Sequence, residues 1–376
     1  MASKKNDQNY HSHAKGLFNK YPALTYVIKQ IVYWIMAYVF LAIISYLLLK
    51  TAGQAKTNLL ANLIIALYLG FFNGIATGLA DRLFEKRLFY NKSLGIIFLG
   101  KVVINFIVFV ILISFVRYTI YPYLLERFFN DNNPITLERA WTFFFNFLLI
   151  YNIVAGLLIS FINQVNRKFG PGVLLPLLLG RYRTPKEEER IFLFMDLKAS
   201  TSIAEEMGHL KYSSFIRDSF MDINTLVFRF NAQIYQYVGD EIVLTWSANK
   251  DHYSISSIEF FYACQSRFQV RTPYYLKRYG YVPKFKAGLH KGPVTAVEVG
   301  DIKRDIAYHG DTLNTASRIQ SMCNELGKEF LSSMEFLKSG RAAGYYSIES
   351  QGMVELKGRS QPIEIACISR KKKGSN

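Results

Sequence analysis

Two acidic residues in the second half of the sequence are placed where a metal ion could bind. Asp196 ends an apolar run that begins at Ile191, a pattern typical of a buried strand, and the turn Ala199–Thr201 follows it. Asp240 lies in a Gly-Asp turn between two further β-runs, which predicts a hairpin. A buried carboxylate needs a cation, and a turn that leads into a helix offers N–H groups to a phosphate. These features predict a nucleotide triphosphate site with Mg²⁺ or Mn²⁺, unless Asp196 only caps the following helix.

The elements that must position these carboxylates alternate between strand and helix patterns from Arg190 onward. In a βαββ arrangement the first strand lies beside the hairpin, so Asp196 and Asp240 can converge. The other predicted elements are one helix from about Ser254 to Tyr279, separate strands over Lys284–His290 and Pro293–Val299, a helix from Asp311, and two β-runs near Val354–Leu356 and Ile363–Ile368.

Five short blocks follow one another through this half of the chain. They are Phe194-Met195-Asp196-Leu197 with Thr201, Val238-Gly239-Asp240, Ala287-Gly288-Leu289-His290-Lys291-Gly292-Pro293, Gly310-Asp311-Thr312-Leu313-Asn314-Thr315-Ala316-Ser317-Arg318, and Leu356-Lys357-Gly358. In this order they resemble the catalytic domain of class III adenylyl and guanylyl cyclases. The resemblance implies an α/β (α+β) fold with a ferredoxin-like βαββαβ core. It also implies attack of a ribose 3′-oxygen on the α-phosphorus, which yields a 3′,5′-cyclic nucleotide and pyrophosphate.

The resemblance assigns roles to individual residues. Asp196 and Asp240 match the pair that binds two Mg²⁺ or Mn²⁺ ions per site, with the Leu197 carbonyl as a further ligand. Asn314 and Arg318 match residues that steady the ribose and the transition-state phosphate. The family places the metals on one protomer and the Asn/Arg pair on the other, so a homodimer is implied. The residues matched to substrate-binding positions are Thr201, Gln236, Ala307 and Lys357, the last on phosphate.

The two positions that read the base depart from the family pattern. Adenylyl members usually have Lys and guanylyl members Glu where this chain has Gln236, and Ala307 stands where Asp, Thr or Cys is common. A glutamine amide can face either purine edge, and an alanine makes no side-chain hydrogen bond. ATP is the expected substrate. The alternatives are a guanylate cyclase acting on GTP, an inactive nucleotide-binding membrane sensor, and a membrane scaffold.

The first part of the chain contains four apolar stretches long enough to cross a lipid bilayer. Lys and Arg concentrate in the N-terminal arm, between the second and third stretches, and after the fourth, so these segments fall on one side. We therefore expect a multi-pass protein of the inner or cell membrane, with both termini and the catalytic domain cytoplasmic. Amides near the last stretch, including Asn152, are expected to hydrogen-bond to other helices. The stretches are roughly Leu24–Leu49, Leu59–Leu79, Leu94–Val116 and Phe143–Ile162.

The net charge of +17 is attributed to basic residues that flank the spans, and no nucleic acid partner is expected. The expected organisation is an N-terminal arm over 1–23, an all-α four-helix transmembrane domain over 24–165, a linker over 166–189, the cyclase domain over 190–369, and a basic tail over 370–376. Together these features predict a membrane-anchored adenylate cyclase controlled by its four-span region.

Overall fold

The computed structural model describes residues 22–51, 58–85, 94–120, 134–169, 180–227, 229–248, 252–301, 304–338, 346–356 and 361–371. The chain divides into two compact units, Met1–Val165 and Asn166–Asn376. The expected arm over 1–23 and the basic tail lie almost entirely outside the described residues, as does part of the linker.

The N-terminal unit contains four long apolar helices, in the places where the sequence predicts them. Each of them has a window long and apolar enough to cross a membrane. A short π-helical turn, Val116–Ile120, extends the third helix. The helices are α1 (Pro22–Thr51), α2 (Leu59–Glu85), α3 (Leu94–Phe115) and α4 (Pro134–Phe169).

Two features hold this helical unit together. Helices α1 and α2 pack backbone to backbone at Gly74, where a Cβ atom would overlap the Cα atom of Ile31. Small residues permit this close approach between apolar helices. The buried Tyr38 hydroxyl of α1 accepts hydrogen bonds from Asn73 Nδ2 (3.3 Å) and from Asn152 Nδ2 (2.7 Å). Asn152 therefore joins α4 to α1, as expected for an amide in an apolar bundle.

The C-terminal unit is built on one mixed sheet. In the described residues the sheet order is β2-β3-β1-β4-β6-β8-β7, with β5 paired to β4. The β2-β3-β1-β4 portion is antiparallel throughout and has helices between β1 and β2 and between β3 and β4. This is the predicted ferredoxin-like βαββαβ core. The strands are β1 (Lys186–Leu197), β2 (Gln233–Val238), β3 (Glu241–Ser247), β4 (Phe285–Val299), β5 (Asp305–His309), β6 (Phe330–Ser333), β7 (Tyr346–Val354) and β8 (Ile363–Arg370).

Three predicted elements differ from the structure. The β-run expected near Val354–Leu356 overlaps β7 only at Val354, because that strand runs over Tyr346–Val354. The single helix expected up to Tyr279 is two helices, because Pro273 lies in the first turn of the second and starts a new element. The two strands expected on either side of Gly292 are one strand, β4. Pro293 is tolerated there because it lies between the segment that pairs with β6 and the segment that pairs with β5. The helices are α5 (Ser200–Met207), α6 (His209–Val227), α7 (His252–Val270), α8 (Thr272–Tyr279), α9 (Asp311–Glu325) and α10 (Met334–Lys338).

Successive side chains of β1 point to opposite faces of the sheet, and each face packs against different helices. Ile191, Leu193 and Met195 are fully buried in the large core that includes residues of α6 and α7. Phe192 and Phe194 pack on the other face, with Ala316 of α9. Asp196 follows in the same alternation, so the carboxylate lies on the face that α9 covers.

Helix α9 lies against β4 at one position where only a glycine fits. A Cβ atom at Gly288 would overlap the backbone nitrogen of Gln320 and the carbonyl oxygen of Ala316. The glycine therefore sets the distance between this helix and the sheet. Asn314, Arg318 and Gln320 all lie on this helix, so their positions depend on the same contact.

Candidate active site

Asp196 contacts two side chains that the sequence patterns did not point to. Its Oδ2 atom lies 2.9 Å from Lys286 Nζ, and it accepts a hydrogen bond of 3.2 Å from Gln320 Nε2. Asp196 does not cap α5, since Ala199 occupies the N-cap position. Burial raises the pKa of Asp196; Lys286 opposes this effect, and the charge of Asp240 adds to it. The carboxylate is therefore held between one ammonium and one amide.

Asp240 and Glu241 bring further negative charge to the same place. Asp240 lies in the turn between β2 and β3, and Glu241 is the cross-strand neighbour of Asp196. Burial, together with the charges of Asp196 and Asp240, raises the pKa of Glu241 to about 7. Three carboxylates thus share one neighbourhood with the single ammonium of Lys286. The predicted convergence of Asp196 and Asp240 is consistent with this electrostatic contact.

The donor set at this position fits a divalent cation. Carboxylate oxygens are the ligands that Mg²⁺ and Mn²⁺ prefer, and mutual repulsion among carboxylates favours a bound cation. The Leu197 side chain is buried and has no polar atom, so this residue could take part only through its backbone carbonyl. Across the described part of the chain, no group of three or more His, Cys, Asp and Glu residues is placed so that it could hold a metal ion, so a cation here would have at most two of these side chains as ligands. The remaining ligands would be water or substrate oxygens.

Asn314 and Arg318 lie one turn apart on α9, as their spacing predicts. Asn314 is exposed and Arg318 is half-buried. The Arg318 Nη1 atom is buried and has no hydrogen-bond partner within the described residues. A buried guanidinium N–H without a partner is costly. It is suited to an anionic group, which none of the described residues supplies.

The residues matched to substrate-binding positions are distributed over several elements. Thr201 is exposed in the first turn of α5, and Gln236 is exposed on β2 just after a bulge. Ala307 is half-buried on β5, opposite Val297. Lys357 lies outside the described residues.

The strands that carry Gln236 and Ala307 meet through neighbouring aromatic residues. The rings of Tyr235 and Tyr308 are 5.2 Å apart, and the Tyr308 backbone N–H donates a 3.4 Å hydrogen bond to the Tyr235 hydroxyl. The edges of β2 and β5 are therefore close on one face of the sheet.

The sequence patterns did not predict that three residues belong to this site, namely Lys286, Gln320 and Glu241. A signal existed for Lys286, because a charged residue inside an apolar β-run requires a buried partner. Glu241 directly follows Asp240, and nothing in its spacing distinguishes it from a solvated turn residue. Gln320 is identified only by the packing of α9 on the sheet.

Comparisons with known proteins place this domain in a family. Residues 183–368 match the family described as the Adenylate and Guanylate cyclase catalytic domain. This segment therefore belongs to the adenylate and guanylate cyclase family, as the five sequence blocks predict, and is a class III cyclase catalytic domain.

Individual relatives are similar over more than half of the chain. Adenylate cyclase 2 of Rhizobium meliloti (strain 1021) is 34% identical over 222 residues, which cover 59% of this chain and 61% of that protein. The receptor-type guanylate cyclase Gyc76C of Drosophila melanogaster is 24% identical over 207 residues, covering 54% and 13%. The chain thus spans less than two thirds of the length of either relative. Among solved structures, the adenylyl cyclase CyaB from P. aeruginosa aligns with a TM-score of 0.45 and 16% identity, covering 51% of this chain and 100% of that one.

Proposed function

We propose that this protein is a membrane-anchored adenylate cyclase that converts ATP to 3′,5′-cyclic AMP and pyrophosphate. The observation that carries the proposal is the group of Asp196, Asp240 and Glu241 beside Lys286, in which burial and mutual charge raise the pKa of Asp196 and of Glu241. Such a site favours divalent cations and the triphosphate that accompanies them. The similarity to the Rhizobium adenylate cyclase favours ATP over GTP.

In this proposal Asp196 and Asp240, with the Leu197 carbonyl, hold the two Mg²⁺ or Mn²⁺ ions. When bound, these ions would supply positive charge to the ribose 3′-oxygen and the triphosphate. Gln320 and Lys286 orient the Asp196 carboxylate. The ribose 3′-hydroxyl gives its proton to water and its oxygen attacks the α-phosphorus. The bond from the α-phosphorus to the oxygen that bridges to the β-phosphorus breaks, pyrophosphate leaves with that oxygen, and a 3′,5′-phosphodiester forms.

We place the second half of each site on a twin chain. Arg318 would donate to the charge that develops on the α-phosphate, and Asn314 would hold the ribose. The buried Nη1 atom of Arg318, unpartnered in the described residues, supports this role. Lys357, Thr201, Gln236 and Ala307 would contact the phosphates and the base. A homodimer would then contain two equivalent sites.

We further propose that α1 to α4 span the inner or cell membrane and anchor a cytoplasmic catalytic domain. The proposed domains are the arm over 1–23, the spans within 24–165, a linker over 166–189, the cyclase domain over 190–369, and a basic tail over 370–376.

A membrane-impermeant thiol reagent tests the topology in intact cells. It should label Gln54→Cys, in the loop after the first span, and leave Asn91→Cys unlabelled. The chain's own cysteines, Cys264, Cys323 and Cys367, lie in the catalytic unit, so they should stay unlabelled as well.

The activity is tested with the full chain reconstituted in lipid nanodiscs. The protein is incubated with ATP or GTP in the presence of Mn²⁺ or Mg²⁺, and the products are identified by mass spectrometry. Cyclic AMP from ATP is the expected product. Cyclic GMP alone would assign the protein as a guanylate cyclase, a possibility that Gln236 leaves open because its amide can pair with either purine edge. Absence of both products from folded, dimeric protein would support an inactive nucleotide-binding sensor.

A further inference from the structure

Arg190 is a buried arginine of β1 that joins three separate elements of the catalytic unit. Its side chain is only 6% exposed. The guanidinium donates to Glu188 Oε2 (3.0 Å) and to Gln233 Oε1 of β2 (2.8 Å). It also lies over the ring of Tyr308 on β5, 4.8 Å from the centroid. One side chain therefore contacts the start of β1, strand β2 and strand β5 at once.

The partners of Arg190 lie beside the two positions that the family uses to read the base. Gln233 is three residues before Gln236 on β2, and the irregular register between Ile234 and Gln236 separates them. Tyr308 directly follows Ala307 on β5. Strands β2 and β5 are not hydrogen-bonded to each other in the sheet. Their separation on this face depends on side chains. The ring of Phe192 contacts those of Tyr235 and Tyr308, these two rings contact each other, and Arg190 bridges Gln233 and Tyr308.

We propose that Arg190 is a positioning residue for nucleotide recognition, which fixes the spacing between β2 and β5 and so the gap between Gln236 and Ala307. This inference rests on the proposed function, because it takes Gln236 and Ala307 as the base-reading positions. Because the Gln236 amide can pair with either purine edge and Ala307 makes no side-chain hydrogen bond, the preference for one purine would depend on where the two strands hold these residues. Arg190 does not touch the nucleotide; it acts through Gln233 and Tyr308.

The chemistry of the contacts requires an arginine. A guanidinium is planar, so its edge can donate to Glu188 and Gln233 while its face stacks on the Tyr308 ring. A lysine ammonium is a point charge with no flat face, and it cannot make these three contacts together. Burial raises the pKa of Tyr308 to about 12, and the positive charge of Arg190 acts in the opposite direction.

The test compares Arg190→Lys with the wild type in the full chain, with KM, kcat and the ATP-to-GTP preference measured separately. We expect KM for ATP to rise about tenfold and the purine preference to fall by a similar factor, while kcat stays within about threefold. Gln233→Ala should shift KM and preference in the same direction by about threefold, because it leaves the arginine charge in place. Tyr308→Leu, which removes the ring, should do the same.

The matched control is Lys328→Met, which breaks the ion pair with Glu349 at the surface of the same unit. It should leave KM, kcat and preference unchanged. A purely structural role for Arg190 would lower the melting temperature and kcat without moving the purine preference, and that outcome would overturn the proposal. If Arg190→Lys fails to fold, Gln233→Ala and Tyr308→Leu decide the question by the same measurements.

Measurements of nucleotide binding test the role of Arg190 independently of the proposed activity. The affinities for ATP and GTP are measured by calorimetry in the wild type and in each variant. If the wild type binds nucleotide without turnover, the proposed activity fails, yet a loss of ATP-to-GTP discrimination in the variants still supports the role of Arg190. Equal discrimination in the wild type and all variants contradicts it.

Discussion

The Lys286 Nζ atom lies 2.9 Å from the Asp196 Oδ2 atom across the β1–β4 ladder. The carboxylate that we propose as a metal ligand therefore has a counter-charge within its own chain. A lysine buried in this position is costly unless it remains paired. The Lys286 Nζ atom also lies 3.1 Å from Asn324 Oδ1, which holds its side chain in place.

We expect Lys286→Met to destabilise the metal-free protein by about 1–3 kcal/mol, because it leaves the half-buried Asp196 carboxylate without its cation. The double variant Lys286→Met/Asp196→Asn should recover most of this loss, since Asp196 then carries no charge that needs a cation. Chemical unfolding followed by circular dichroism measures both values. Additive losses in the double variant would show that the two side chains are not energetically coupled.

Replacement of either proposed metal ligand should abolish product formation. Asp196→Asn and Asp240→Asn each remove a negative charge that holds the cations, so activity should fall by more than about a hundredfold. The far-ultraviolet circular dichroism spectrum should stay that of the wild type. Glu329→Gln, which changes a carboxylate with a 53% exposed side chain, is the control and should retain activity. Substantial turnover by Asp240→Asn would contradict the assignment.

Mixing two inactive variants tests the shared site. Asp240→Ala lacks a metal ligand and Arg318→Ala lacks the transition-state donor, so a heterodimer of the two contains one intact site. Random pairing makes half of the dimers mixed, and the expected activity is about one quarter of the wild-type value. Product formation is measured after the two proteins are co-expressed. A mixture as inactive as either parent would argue against a site formed between two chains.

The stability of the metal-free catalytic unit should depend on the protonation of Glu241. Its pKa is about 7 in the folded state, raised by burial and by the charges of Asp196 and Asp240. The folded state holds this proton more tightly than the unfolded chain. Protonation of Glu241 therefore stabilises the fold fully below about pH 4.5, and this contribution is lost as the pH rises through about 7. Melting temperatures in EDTA should fall over this interval, and Glu241→Gln should flatten the dependence. An unchanged slope in that variant would contradict the prediction, and Glu329→Gln serves as the control.

The close contact of α1 with α2 should tolerate no side chain at Gly74. We expect Gly74→Ala to destabilise the helical unit by about 1–3 kcal/mol, because the new methyl group meets the backbone of Ile31. Unfolding by denaturing detergent in mixed micelles measures the loss. Gly156→Ala is the matched control. Its methyl group would lie 3.2 Å from the Asn105 Nδ2 atom, and this side chain can move aside, so the loss should be smaller. Equal losses in the two variants would contradict this explanation.

The parts of the site that could be predicted from the sequence are those determined by local pattern. Asp196 ends a strand, Asp240 occupies a turn, and Asn314 and Arg318 are four residues apart on a helix, so each position follows from a short stretch of chain. Lys286 and Gln320 could not be assigned in the same way. Their contacts depend on strand register and on how α9 lies on the sheet, which are set by long-range pairing.

The same distinction explains two of the three incorrect elements. Pro293 reads as the end of a strand in isolation, yet it is accommodated because two different strands pair with β4 on either side of it. The position of Pro273 is a local signal, and a shorter helix could have been predicted from it. The part of the cyclase domain that contains Lys357 lies outside the described residues, so its proposed phosphate contact stays a prediction.

The fit of α9 against Gly288 limits how the proposed activity could be regulated. At Gly288 no side chain separates the helix backbone from the strand backbone, so the helix has little room to slide or rotate at this position. The helix and the sheet therefore move together, and they keep Asn314, Arg318 and Gln320 in fixed positions relative to the sheet. In the proposed dimer, a stimulus received elsewhere would change turnover by altering how two rigid halves approach each other, and each half would keep its internal geometry.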